Sequence, residues 1–250
     1  MIVYDKLKKF FFPRNLTCSV CKRENFNGES ICDECESVLP YNDKAVCGHC
    51  GRKVAYSTDY CDFCKNRNVE LDGARSVFEY KDPINKLIRR LKYYGERYLA
   101  EEFAQKMAKV YFRSLPTVDV AVSVPADIKR LKQRGYNQSE LIARAFCKFT
   151  QTKYIENALT KTRETKSQVG LTLKERKENL TGSFAVTDKK QIKDKVVLIV
   201  DDVLTTGTTL GVISEKLKKS GAKEVYALTV ASVTFGEKFT NASTNGEEKE

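Results

Sequence analysis

The stretch KVVLIVDDVLTTGTTL, residues 195–210, decides the fold. Its apolar run from Val196 to Val200 predicts a strand buried on both faces, as in a parallel sheet that helices cover on both sides. We expect Asp201 and Asp202 to emerge at the end of this strand, where open α/β sheets bind their ligands. The segment from Thr205 to Thr209, with a glycine at its centre, then predicts a turn into a helix.

This combination of groups indicates a ribose 5-phosphate ligand. Adjacent carboxylates with no basic residue beside them in the sequence suit sugar hydroxyls, or a divalent ion bound alongside them. Backbone N–H groups at a helix start, with threonine hydroxyls, favour a phosphate. In one alternative the aspartates only cap the following turn. In another the strand belongs to a P-loop ATPase, but that requires G-x-x-x-x-G-K-[ST], which the sequence lacks.

Strand-like and helix-like segments alternate from Ala74 onward. Strands are predicted in ARSVFEY, VDVAVSVP and EVYALTVASV as well as in the opening stretch. Helices are predicted in INKLIRRLKY, YNQSELIARAFCKF and GTTLGVISEKLKKSG, and a further helix is predicted after Gly95. ADIKRLKQRG is expected to form a basic loop. The alternation predicts an α/β fold with a parallel sheet and flanking helices.

Eight of the nine cysteines form a repeat, C-x2-C-x10-C-x2-C, whose second copy is shifted by 29 positions. Four cysteines at this spacing are typical of structural zinc sites, which leave no open position for catalysis. A disulfide framework is the alternative, disfavoured because nothing marks the chain for export. Either each copy binds one ion, or alternate knuckles pair in a cross-braced arrangement. The predicted ligands are Cys18, Cys21, Cys32 and Cys35 in the first copy, and Cys47, Cys50, Cys61 and Cys64 in the second.

The chain is basic, with 44 Lys and Arg against 33 Asp and Glu, a balance of +11. Two filled four-cysteine sites lower this to about +7, which still favours polyanionic partners. No apolar run approaches the roughly 20 residues of a membrane helix, and we expect a cytoplasmic protein. His49 is the only histidine and lies inside a knuckle, which excludes histidine acid–base chemistry elsewhere in the chain.

VVLIVDDVLTTGTTL resembles the phosphoribosyl-pyrophosphate (PRPP) signature of type I phosphoribosyltransferases. Together with VPADIKRLKQRGYNQSELIA, TRETKSQVGLTLKERKENLTGSF and LIRRLKYYGERYLAEEFA, behind a cysteine-rich module, it is similar to the ComF family of competence proteins. The resemblance implies a type I phosphoribosyltransferase fold, which we place at 69–238, after the polar seam that follows the zinc-binding module at 1–68. The composition of 239–250 predicts a disordered tail. The resemblance also implies a cytoplasmic role in handling single-stranded DNA during natural transformation, beside a helicase-like partner.

The resemblance assigns roles to individual residues. It implies that Asp201 and Asp202 hold the ribose hydroxyls and that Thr205, Thr206, Gly207, Thr208 and Thr209 wrap the 5-phosphate. Mg²⁺ would accompany the diphosphate of PRPP. Thr205 stands where purine-specific relatives carry an acid, which argues against purine salvage. The basic loop would contribute Lys129, Arg130, Lys132 and Arg134 on the diphosphate side, and the hood segment Arg163, Gln168, Arg176 and Asn179.

Three functional hypotheses follow. The first is a single-stranded-DNA-handling competence protein that keeps a PRPP pocket. The second is an active phosphoribosyltransferase with a non-purine acceptor, and the third is a PRPP-responsive regulator. Basic groups and possible stacking aromatics predict where DNA would bind. They are Lys22, Arg23, Arg52 and Lys53 in the cysteine repeat, and Lys86, Arg89, Arg90, Lys92, Tyr93, Tyr94 and Tyr98 in or after the first helix that follows it.

Overall fold

The computed structural model describes residues 16–65, 71–162, 180 and 182–234. The strands described are β1 (Gly73–Glu79), β2 (Val120–Ser123), β3 (Lys153–Tyr154), β4 (Leu159–Lys161), β5 (Phe184–Val186), β6 (Val196–Leu204) and β7 (Glu224–Ser232). Five of them form a central sheet in the order β1-β7-β6-β2-β3, in which every neighbouring pair is parallel, and β4 and β5 form a separate antiparallel pair. The predicted parallel sheet is confirmed.

Helices cover both faces of this sheet, and the alternation of side chains along β6 shows why its first five residues are all apolar. The helices described are α1 (Asp33–Ser37), α2 (Asp62–Lys65), α3 (Ile84–Tyr93), α4 (Leu99–Ser114), α5 (Ile128–Arg134), α6 (Gln138–Thr150) and α7 (Thr208–Lys219). Leu198 and Val200 belong to the same buried cluster as α3, α4 and α6, whereas Val197 and Ile199 belong to the cluster that contains α7. Each such fully buried side chain contributes about 1.5–3 kcal/mol.

The strand β6 is longer than predicted. It continues through the aspartates, pairing Asp201 with Thr229 and Leu204 with Ser232 of β7. On its other side, the pairing with β2 ends at Ser123. The aspartates therefore lie within the strand rather than beyond it, in a part of β6 where β7 is the only neighbouring strand among the residues described. This leaves one edge open to groups from other elements.

The basic segment predicted to be a loop is instead the helix α5. Asp127 precedes it, and its side chain accepts a hydrogen bond from the Lys129 N–H, as an N-cap does. Gly135 ends the helix with φ of 77°, a left-handed conformation that glycine adopts at low cost. The caps define the helix, because its apolar residues Ile128 and Leu131 are both exposed and give no buried face.

The two cysteine copies pack on opposite faces of the sheet. Cys18 and Cys35 of the first copy (residues 18–35) join the buried cluster of α3 and α4. Cys47 and Cys64 of the second copy (residues 47–64) join the cluster of α7. None of the helices described is long and apolar enough to cross a membrane.

Candidate functional site

The carboxylates of Asp201 and Asp202 are held by side chains from two helices. Ser139 Oγ donates to Asp201 Oδ1 at 2.7 Å, and the Asp202 N–H donates to the same oxygen at 2.9 Å. Gln138 Nε2 donates to Asp202 Oδ1 at 3.2 Å, and Lys92 Nζ forms an ion pair with Asp202 Oδ2. The pair is thus held at the open edge of β6 by the start of α6 and the end of α3.

Lys92 gives the acidic pair a basic neighbour in space, although none stands beside the pair in the sequence. It lies in the last turn of α3, and its side chain is only 21% exposed. Leu87 and Leu91 of the same helix are buried in the core, which fixes the helix against the sheet. Because α3 lies far from β6 in the sequence, no pattern around residue 201 reveals this contact.

The environment shifts the pKa values of the two carboxyl groups in opposite directions. Burial and the charge of Asp202 together raise the pKa of Asp201 to about 7, against the hydrogen bond from Ser139. Burial also opposes the ionisation of Asp202, but attraction to Lys92 and the hydrogen bonds from Lys92 and Gln138 lower its pKa overall. Asp202 is therefore ionised at neutral pH, whereas Asp201 lies close to its midpoint.

The loop between β6 and α7 turns directly into the helix through Gly207. Gly207 adopts φ of 68° immediately before the helix, and its carbonyl accepts the Gly211 N–H at 2.8 Å. The hydroxyls of Thr206 and Thr208 lie 2.9 Å apart. The first N–H groups of a helix have no acceptor within it, so the start of α7 offers donors to an anion. Thr205 is exposed.

Ser139 and Gln138 also belong to the candidate site, although no motif around the aspartates indicates them. They occupy the first turn of α6, and Asn137 caps that helix by accepting the Ser139 N–H at 3.1 Å. Asn137 Nδ2 also donates to the Val124 carbonyl at 2.9 Å, which ties the helix start to the end of β2. The N-cap signal in YNQSE was present, but only the sheet order shows that this helix starts beside β6.

The basic residues assigned to the diphosphate lie on α5 at different distances from the acidic pair. Arg134 contacts Gln138 Oε1, and Gln138 bonds to Asp202, so Arg134 is one residue removed from the site. Lys129, Arg130 and Lys132 are exposed on the helix surface. The ion pair between Lys161 and Asp127, at 2.8 Å, ties the start of α5 to β4.

Some predicted residues lie outside the ranges that the structure describes. These are the four hood residues, the tail and the boundary between 68 and 69. The hood residues in question are Arg163, Gln168, Arg176 and Asn179.

The eight repeated cysteines form two clusters, one in each copy, rather than a cross-braced set. Within each cluster, one sulfur atom per residue lies within 4.8 Å of all the others. The Sγ atoms of Cys21 and Cys32 are 3.8 Å apart, as are those of Cys50 and Cys61. Four sulfurs about 2.3 Å from a central zinc ion stand about 3.8 Å from one another, so both clusters fit zinc. A disulfide would require about 2.05 Å.

His49 is not part of either cluster among the residues described. Its ring stacks on Tyr60 with centroids 5.1 Å apart, and its carbonyl accepts the Ala74 N–H at 2.6 Å. It therefore packs the second copy against β1.

Several basic residues predicted to bind DNA instead make contacts within the protein. Arg52 is 2% exposed, and Lys92 is paired with Asp202. Arg90 pairs with Glu96 and donates to the Ser19 carbonyl of the first copy. The residues that remain open are the aromatic pair Tyr93 and Tyr94, 65% and 70% exposed, with Lys22, Arg23, Lys86 and Arg89 also at the surface.

Comparison with protein-family models finds two matches. A double zinc ribbon domain matches residues 7–65, and a phosphoribosyl transferase domain matches residues 134–244. The second range contains β6, the loop after it and α7. Among solved structures, glutamine PRPP amidotransferase from B. subtilis aligns with a TM-score of 0.37 and 22% identity, over 52% of this chain and 25% of that chain.

The curated relatives match over most of their length. Competence protein F of Haemophilus influenzae is 27% identical over 84% of this chain and 94% of that protein. DNA utilization protein YhgH of Escherichia coli K12 is 29% identical over 83% of this chain and 93% of that protein. The chain thus carries a double zinc ribbon followed by a phosphoribosyl transferase domain, and it is similar to these competence and DNA utilization proteins over more than four fifths of its length.

Proposed function

We propose that this protein binds PRPP at the acidic pair and the loop that follows it, and that it acts on single-stranded DNA in competence. The observation that carries the proposal is the juxtaposition of Asp201 and Asp202 with the turn at Gly207 on a single strand and helix. The names of the relatives, competence protein F and DNA utilization protein, support the DNA role.

The carboxylates would accept hydrogen bonds from the two ribose hydroxyls. Asp202 is suited to this role because Lys92 keeps it ionised, and Gln138 fixes the direction of its Oδ1. Asp201 is fixed by Ser139 in the same way. The 5-phosphate would take N–H groups and threonine hydroxyls at the start of α7, where the helix dipole adds favourable potential.

Magnesium fits this site only together with its ligand. Lys92 already neutralises Asp202, so the acidic pair carries about one net negative charge at most, which is little for a bare divalent cation. Mg²⁺ keeps several waters and binds through one or two carboxylates plus the phosphates of a substrate. We therefore propose that Mg²⁺ arrives on the diphosphate of PRPP, where it supplies charge neutralisation.

The site also fits transfer of the ribosyl group to an acceptor. Thr205 is exposed and uncharged, so it offers no carboxylate to a purine ring. An enzymatic role would accordingly use a non-purine acceptor, and it would appear as PRPP-dependent release of pyrophosphate. Without an acceptor, the same pocket would serve as a PRPP sensor.

Thermal melting with PRPP and Mg²⁺ tests the pocket. Ligand at 100 times its Kd stabilises the folded state by about 2.7 kcal/mol, which raises Tm by roughly 5–10 °C in a chain of this size. Asp201→Asn with Asp202→Asn should abolish the shift. Asp82→Asn is the matched control, because Asp82 also pairs with a lysine of α3 but lies exposed. An unchanged shift in the double variant would contradict the pocket.

The DNA surface is proposed at Tyr93 and Tyr94, next to Lys92 in the chain. Arg134 lies over the Tyr93 ring at 5.1 Å, so a guanidinium and aromatic faces are presented together near the acidic pair. Single strands bind to such combinations of stacking faces and positive charge. Alanine at both tyrosines should weaken binding of a labelled oligonucleotide by at least about tenfold, measured by anisotropy, since stacking contributes about 1–3 kcal/mol per base.

The second copy provides the control for this measurement. Tyr56 and Tyr60 are also exposed, at 82% and 51%. If alanine at these positions causes the loss instead, the DNA surface lies on the cysteine repeat.

We place the protein in the cytoplasm beside a helicase-like partner, as the family resemblance implies.

A further inference from the structure

A buried arginine joins the second cysteine copy to the ligand loop. Arg52 is 2% exposed, and its guanidinium lies 4.2 Å from the centre of the Phe63 ring. One terminal nitrogen donates to the Val233 carbonyl at 3.1 Å, and the other contacts the Thr205 carbonyl. These carbonyls follow the ends of β7 and β6. The planar fork of one side chain therefore holds both strand ends.

Contact with the Thr205 carbonyl affects the adjoining amide. In a planar trans peptide the C=O of one residue and the N–H of the next point in opposite directions. A Thr205 carbonyl directed at Arg52 thus turns the Thr206 N–H away from the cysteine repeat. Leu204 and Gly207 line a small apolar gap with Arg52 and Phe63, so the loop is also packed against this copy.

The backbone around Arg52 is fixed by the second cluster. The Cys47 N–H donates to the Arg52 carbonyl at 2.9 Å, and the Gly51 N–H donates to the Cys47 carbonyl at 2.9 Å. Gly51 has φ of 67°, and a Cβ there would lie 2.6 Å from the Ala74 carbonyl oxygen, so the turn sits directly against β1. The position of Arg52 follows from the cysteine cluster on one side and the sheet on the other.

The cluster itself does not require a buried arginine. Arg23 occupies the same place in the first copy, 29 positions earlier. There the side chain is 62% exposed and pairs with Glu34, which corresponds to Phe63. The four-cysteine fold therefore does not require this arginine to be buried. Because Arg52 is buried in the copy that contacts the loop after β6, we infer that its burial serves that loop.

We propose that Arg52 is a positioning residue that sets the conformation of residues 205–209 and couples the second cysteine cluster to ligand binding there. The part that concerns ligand affinity rests on the proposed function. The conformational part does not, since it concerns the protein without ligand.

Hydrogen exchange of the full-length, zinc-loaded protein tests this, with Arg52→Met compared to Arg23→Met. We expect the Val233 and Gly211 amides, which donate to the Leu204 and Gly207 carbonyls at the two ends of the loop, to exchange at least about tenfold faster in Arg52→Met, because two carbonyls lose a charged donor. Arg23→Met should leave them unchanged. Where wild type binds PRPP, its Kd should rise about tenfold in Arg52→Met only, as the ligand must then order the loop.

The outcomes separate this proposal from the pocket itself. If wild type does not bind PRPP, the proposed function fails while the exchange result still decides the role of Arg52. Unchanged exchange in zinc-loaded Arg52→Met, or equal acceleration in Arg23→Met, overturns the role. Should Arg52→Met lose zinc, Arg52→Lys decides instead. Lysine keeps the charge but not the fork, and a smaller acceleration with full zinc content is the expected result.

Discussion

The two cysteine copies have equivalent backbone hydrogen bonds, but their side chains contact different parts of the molecule. In both, the N–H of the first cysteine donates to the carbonyl of the arginine five positions on, at 2.8 Å in the first copy and 2.9 Å in the second. The N–H of the third cysteine donates to the sulfur of the first, at 3.4 Å and 3.2 Å. The local fold is therefore set by cysteine spacing alone, while the surroundings of each copy are set by the residues between the cysteines.

The first copy is fixed to the helices by charge. Lys106 of α4 lies with Nζ 2.8 Å from both carboxylate oxygens of Glu36, and 3.1 Å from Glu102. Arg90 of α3 donates to the Ser19 carbonyl. The second copy is fixed to the sheet and loop, chiefly through Arg52. A duplicated metal site thus supports the molecule at two places, and the second of them contacts the loop after β6.

Loss of either cluster should have the largest effect. We expect about two zinc ions per chain, and about one in Cys35→Ser or Cys64→Ser. Because binding of structural zinc contributes about 10–16 kcal/mol in small zinc domains, either loss should cost several kcal/mol of stability. Metal analysis and thermal melting give the result. Only Cys64→Ser should speed exchange of the Val233 and Gly211 amides, which donate to carbonyls at the two ends of the loop.

The ninth cysteine supplies the control for that experiment. Cys147 is buried in α6 outside both clusters, and burial raises the pKa of its thiol to about 12. Cys147→Ser should keep the full zinc content. If Cys35→Ser accelerates exchange in the loop as much as Cys64→Ser does, the two copies are not distinct in the way described.

Replacing the lysine that anchors the first copy should have an intermediate effect. Lys106→Met leaves Glu36 and Glu102 near each other without their shared cation, at a site where the lysine side chain is 8% exposed. Removing one partner from such a buried group costs about 3–5 kcal/mol. Urea unfolding measures the change in the free energy of unfolding.

Lys53→Met provides the matched change in the second copy. Lys53 lies 2.7 Å from Glu79, but its side chain is 40% exposed and Lys81 contacts the same carboxylate at 3.1 Å. Its loss should cost no more than about 1 kcal/mol. Equal costs for the two lysines would show that charge fixes both copies alike.

The sequence predicted the elements whose signals are local. The run from Val196 to Val200 specifies a strand buried on both faces, and the spacing of Ile84, Leu87 and Leu91 specifies α3. The basic helix α5 was missed because its apolar residues remain exposed, so no periodic face marks it. Its caps, Asp127 and Gly135, were the available signal and were outweighed by the run of charge.

Contacts between residues far apart in the sequence could not be predicted from the sequence, because they depend on the order of the strands in the sheet. Lys92, Gln138 and Ser139 reach the aspartates because α3 and α6 begin or end beside the open edge of β6, a fact of sheet order. The repeat was misleading at Arg52. Identical spacing made it equivalent to Arg23, and only the packing against the sheet shows that one is buried and the other exposed.

The smallest expected effect is on the pH dependence of stability, and it comes from the acidic pair, which lies outside both copies. The folded pKa of Asp201, about 7, lies above its unfolded value of about 3.9. Between these pH values the folded state holds a proton that the unfolded state releases, so stability from this group falls as pH rises from about 4 to 7. Asp202 and Lys92 face the group and stay charged over this range.

Asp201→Asn should remove this loss of stability. The difference between the Tm of the variant and that of wild type should therefore increase, in favour of the variant, by roughly 5 °C from pH 5 to pH 8. Arg52→Met and Arg23→Met should keep the wild-type pH dependence, because the pKa of Asp201 is set by burial, Asp202, Ser139 and Lys92 rather than by either arginine. Thermal melting of all four proteins at the two pH values gives the comparison. If the Asp201→Asn protein melts in parallel with wild type at both, Asp201 does not hold this proton.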